Sequence, residues 1–100
     1  MSDYYDRRDL SAVTDFADPL AKFVIDFESD EQLVHNDSPP TSGITVEVSF
    51  DGEHVHGRLQ SNGPSKVVNW VRHIRRVVWV RRVAGGPATG CWVEVIAATR

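Results

Sequence analysis

Residues 64–83 read PSKVVNWVRHIRRVVWVRRV, and the period assigned to this stretch decides the fold. Val67, Trp70, Val71, Ile74 and Val78 recur at the intervals of three and four that line one face of a helix, while Lys66, Asn69, Arg72, His73 and Arg76 fall on the other side. Pro64, after the Ser61-Asn62-Gly63 turn, suits a first helical turn. Past Arg76 a continued helix would carry Arg81 and Arg82 onto the apolar stripe, whereas alternation over 77–83 would not. The spacing predicts a helix that ends near Arg76 and a strand after it. A Gly- and Pro-containing connection, 84–90, then leads to a strand over 91–98 with Cys91, Val93 and Val95 on one face, and these two strands are expected to form a hairpin.

Upstream, Ile44, Val46, Val48 and Phe50 alternate with Thr45, Glu47 and Ser49 before Asp51-Gly52, the signature of a β-hairpin. A two-residue loop would pair Phe50 with Glu53, Val48 with Val55, Val46 with Gly57 and Ile44 with Leu59. A four-residue loop changes the partners and keeps the faces. In the first register His54, His56 and Arg58 lie opposite Ser49, Glu47 and Thr45, making Glu47 and His56 neighbours.

Nearer the N-terminus, Leu10, Val13, Ala17, Leu20, Val24 and Phe27 again recur every three or four positions, interrupted by Pro19. Two helices are expected there, the second capped by Asp18 with Pro19 at its first position. Phe23, Ile25 and Phe27 also alternate with Val24, Asp26 and Glu28, so 22–28 fits a strand as well. Residues 29–43, rich in Asp, Ser, Pro and Asn, predict a polar acidic loop. The order ααββαββ implies an α+β two-layer sandwich: a four-stranded antiparallel sheet with helices on one face, and Trp70 and Ile74 anchoring the third helix to it.

The chain of 100 residues is of single-domain size, 1–100, and its 41% hydrophobic and 25% charged residues suit a packed native state. Residues 1–8 carry no signal-like apolar core, Cys91 is the lone cysteine, and no purely apolar run exceeds the four residues of 77–80; a soluble, cytoplasmic protein is expected. Net charge is only −3, but residues 1–53 hold thirteen acidic and three basic side chains, and residues 54–100 one acidic and eight basic. Folding either neutralises the two halves against each other or leaves faces of opposite sign that steer charged partners.

Catalytic chemistry is sparse. His54 and His56 on one strand face, with His73 or Glu47 nearby, make an incomplete metal site, and neither a metal nor another cofactor is expected. Glu47, His54, His56 and Arg58 could supply the acid, base and phosphate-stabilising groups of a metal-independent ribonuclease. Cys91 is a nucleophile only if a neighbouring cation lowers its pKa, and is otherwise a small core residue. Residues 85–90 lack the Lys-Ser/Thr of a phosphate-binding loop.

Two binding surfaces stand out. Asp15, Asp18, Asp26, Glu28, Asp30 and Glu31 could form an acidic face that docks on a basic groove of a larger protein or protein–nucleic-acid complex. Arg58, Arg72, Arg75, Arg76, Arg81 and Arg82, interleaved with tryptophans, could instead bind nucleic acid. The functional expectation is a small non-catalytic protein-binding module, an inhibitor or adaptor of the kind that phages and mobile elements deploy against host defences, anti-CRISPR proteins included. The alternative is a nucleic-acid-binding protein or small ribonuclease that uses the basic C-terminal half.

Overall fold

In the computed structural model, which describes residues 2–99, the deciding stretch is strand and not helix. After a single 3-10 turn, Pro64–Lys66, the chain runs extended through Val67–Arg82, the fifth of six strands. Seven of its 16 residues are Val or Ile, whose branched β-carbons lose side-chain freedom in a helix and pack well on a pleated sheet. The helix-like spacing mixes the two faces of the strand, Val67 and Val71 outward with Trp70 and Val78 inward, and a bulge adds Ile74 between them. Val71 pairs with Glu31 and Arg75 with Ser29, so Arg72, His73 and Ile74 face Asp30 alone, and Arg72 takes a φ of 69° to turn the corner.

The strands are β1 (Asp3–Asp9), β2 (Lys22–Asn36), β3 (Val46–Ser49), β4 (Gly57–Leu59), β5 (Val67–Arg82) and β6 (Trp92–Ala98). They form one antiparallel sheet in the order β1-β6-β2-β5-β3-β4. Among the described residues helix is confined to two 3-10 turns, so the α+β sandwich with a four-stranded sheet is replaced by an all-β architecture.

The expected N-terminal helices are likewise absent: 10–21 is a connection whose only helical piece is the 3-10 turn Pro19–Ala21. The cap itself forms as the sequence indicates, Asp18 accepting from the Leu20 N–H at 2.9 Å with Pro19 in the first position. Leu10 and Val13 are buried without a helix, while Leu20 and Val24 are exposed. The strand alternative for 22–28 is the one realised, and β2 continues through Asn36, so the expected loop 29–43 shrinks to 37–45. Nor do 77–83 and 91–98 pair with each other, because β2 lies between β5 and β6.

The sheet wraps around its own core. The first half of β2 pairs with the second half of β5, its second half with β6 and the first half of β5, and irregularities at 24–31 bend it between the two. A buried polar knot satisfies the backbone there: Gln32 Nε2 donates to Ser29 O, Ser29 Oγ and His73 O at 2.9–3.1 Å, and its Oε1 accepts from Arg75 Nη1. Inside the curl lie Phe23, Ile25, Val34, Val46, Val48, Leu59, Val78, Val80, Val93 and Val95, plugged by Leu10 and Val13 from the β1–β2 connection. Burial of each such large side chain contributes about 1.5–3 kcal/mol before entropic losses. Arg8 fastens β1 across the opening, its guanidinium 4.1 Å over the Phe23 ring and bonded to Leu20 O and Lys22 O.

Candidate functional site

Strand alternation puts even-numbered residues of β1 and odd-numbered residues of β6 toward the core, so their neighbours point outward. The register aligns these outward side chains in rows across four strands. One row is Tyr5, Ile96, Leu33 and Asn69; the next is Arg7, Glu94, His35 and Val67; on the other side lie Asp3, Ala98, Glu31 and Val71. Tyr5 is 59% exposed, Val71 47%, Ile96 40% and Val67 37%, which makes an uncovered apolar strip on a sheet face. Two shallow depressions mark it. One of about 140 Å³ is lined by Leu33, Asn69, Ile96 and Ala98, and one of about 310 Å³ by Asp30, Val71 and Arg72, with Glu31 shared by both.

At one end of this face the polar groups are tightly organised. Glu94 Oε2 accepts from the Tyr5 hydroxyl at 2.7 Å, and Glu94 Oε1 lies 2.9 Å from His35 Nδ1. Those two contacts, Tyr5 first, hold the Glu94 carboxyl below its usual pKa, and the same bond pushes the Tyr5 phenol up. Arg7 bonds Asp37 at 3.2 Å while stacking 4.2 Å over the Trp92 ring. Among the described residues the face carries Asp3, Glu31, Asp37 and Glu94 with the guanidinium of Arg7, and Asp30 and Arg72 stand at its border. It is acidic around an apolar centre.

The six acidic positions singled out from sequence are not brought together. Asp15 and Asp18 fold back on their own turns, accepting from the Ala17 and Leu20 N–H groups. Asp26 and Glu28 occupy the bent half of β2, Glu28 lying 3.9 Å from Arg76, and only Asp30 and Glu31 border the open face.

The basic set is dispersed too. Glu47 sits between Arg58 and Arg81 at 2.6 and 3.0 Å, and Arg81 stacks on Phe16. Arg82 is buried and donates to the carbonyls of Ser11, Val83 and Gly86. Arg75 lies over the Phe50 ring, which leaves Arg72 and Arg76 exposed on β5. These pairings neutralise part of the acidic half against the basic half.

The strand-face trio does not converge. β3 and β4 pair Val46 with Leu59, Glu47 with Arg58 and Val48 with Gly57, the partner set of the longer loop, so the neighbour of Glu47 is Arg58 rather than His56. His54 closes the turn on Asp51 at 2.7 Å, and that contact raises its pKa. His56 stacks on Phe50 and accepts from the Phe50 N–H. Cys91 is buried, and burial pushes its thiol up, away from a nucleophilic thiolate.

Sequence reasoning missed Tyr5, His35 and Glu94. His35-x-Asp37 is the one local signal, since residues two apart share a strand face; Glu94 joins them only through strand register. The chain matches no protein-family model, and no curated protein matches it in sequence. Among the described residues no helix is long and apolar enough to cross a membrane.

Proposed function

We propose that the protein is a non-catalytic binding module, an inhibitor or adaptor, that docks on a larger protein through the outer face of β1, β6, β2 and β5. The observation that carries this reading is the uncovered strip of Tyr5, Ile96, Leu33, Val67 and Val71 within an acidic surround. Charge complementarity selects the occupant: an apolar patch rimmed by Lys and Arg on the partner. The dispersed arginines and the divergent Glu47, His54 and His56 supply no comparable convergence for nucleic acid. A cytoplasmic location belongs to the same reading, supported by the unpaired thiol of Cys91.

The test compares Ile96→Glu and Val71→Glu with Ile74→Glu, an exposed control in the β5 bulge. With folding verified by thermal melts, the two face variants lose the captured protein partner and the control keeps it. In crosslinking, Tyr5 should meet a basic, apolar patch. Retention by both face variants overturns the proposal, as does a wild-type self-association that Ile96→Glu abolishes, which would assign the face to a second copy of this chain.

A further inference from the structure

We propose that His35, Asp37 and Glu94 bind one divalent transition-metal ion of the zinc class. One ligand atom from each lies within 4.8 Å of the others. Ligands of a tetrahedral zinc site, bound at about 2.0–2.1 Å, stand about 3.3 Å apart, so modest side-chain rotations on a fixed backbone suffice. That backbone is well held: His35 and Glu94 are direct partners in the β2–β6 ladder, and the Asp37 N–H bonds Trp92 O at 2.8 Å.

The neighbouring contacts fit a ligand role. The Tyr5 hydroxyl holds Glu94 Oε2 and turns Oε1 toward His35, the kind of outer contact that orients metal-binding carboxylates. His35 Nδ1 and Glu94 Oε1 already stand 2.9 Å apart, close to the separation of two ligands on one ion, and a neutral imidazole would bind through Nδ1 as its Nε2–H tautomer. Arg7 is the opposing charge. Its contact with Asp37 is a single one between half-exposed groups, weak in water, and Arg7 keeps the Trp92 ring as an alternative seat. The imidazole selects against magnesium and calcium, which take oxygen ligands. Three protein ligands on an exposed face leave a coordination position for water or a partner side chain.

Calorimetric titration of the full chain with zinc chloride, and the visible spectrum with cobalt chloride, test the site without any partner. One equivalent should bind, and the cobalt complex should show the absorption of a low-coordinate nitrogen and oxygen set. His35→Ala and Asp37→Asn should each weaken affinity by at least about tenfold, and Tyr5→Phe by about tenfold, while His54→Ala changes nothing. Asp37 lies beyond the end of β2 and is exposed, so its variant is informative even if His35→Ala misfolds. Absence of saturable binding at millimolar zinc, or binding that Asp37→Asn leaves intact, overturns the assignment.

Discussion

The indole of Trp70 occupies the space that a side chain at Gly57 would need: a β-carbon there would lie 2.7 Å from Trp70 Cζ2. Phe50 holds the indole edge-on at 5.0 Å, so the ring is not free to retreat. Gly57→Ala should therefore destabilise by about 1–3 kcal/mol through overpacking. Trp70→Ala should cost about 3 kcal/mol or more by itself. In the Trp70→Ala background the Gly57→Ala penalty should vanish, and denaturant melts of the four proteins measure this as a coupling.

Acid sensitivity should concentrate partly in Glu47. Burial raises its pKa, but the bonds from Arg58 and Arg81 outweigh that and leave it below the usual carboxylate value. A pKa lowered by folding means the stabilisation is complete above the unfolded value of about 4.3 and disappears as pH falls through the folded one. Glu47→Gln should lose about 1–3 kcal/mol at neutral pH, and its stability should decline less than that of the wild type below about pH 4.5. Chemical denaturation across that range gives both slopes.

Arg72 carries a left-handed backbone at the bulge, a conformation that costs most side chains about 1 kcal/mol. Arg72→Gly should leave stability unchanged or raise it by up to about 1 kcal/mol, whereas the β-branched Arg72→Val should lower it by a similar amount or more. Equal losses in both variants would mean that the guanidinium, rather than the turn, sets the effect.

Native Cys91 should react with a chromogenic disulfide reagent far more slowly than a free thiol, because burial both shields it and raises its pKa. Unfolding in urea should restore ordinary reactivity. Fast reaction in the native protein would contradict its place in the core.

Where local pattern and tertiary pairing agree, the sequence is readable. Alternation from Ile44 to Phe50 yields β3, its Asp51-Gly52 turn lies in the connection to β4, and Asp18-Pro19 caps a short turn as its chemistry demands. Part of the error comes from bulges. Extra residues at Arg72 to Ile74 and at 25–28 break the period of two, and what is left mimics the spacing of a helix. β1 was invisible because its alternation is Tyr, Asp and Arg rather than apolar and polar, and the second half of β2 because its inward positions include Gln32 and Asn36. The metal-ligating trio shows the general limit: His35 and Glu94 are neighbours through a ladder between distant segments, and no local pattern encodes that register.

Of the six strands β1 is made first, yet its ladder partner is β6, made last, with Asp3 opposite Ala98. Until β6 is available, β1 lacks its ladder partner and β2 is missing one of the two neighbours along its second half. Folding is thereby deferred to a late, largely concerted event, slow for so small a chain because its pairings span long sequence separations. Loss of β6 would remove a central strand rather than shorten an edge, so a ribosome-stalled or C-terminally clipped product should be a target for proteolysis instead of a weakened version of the native protein.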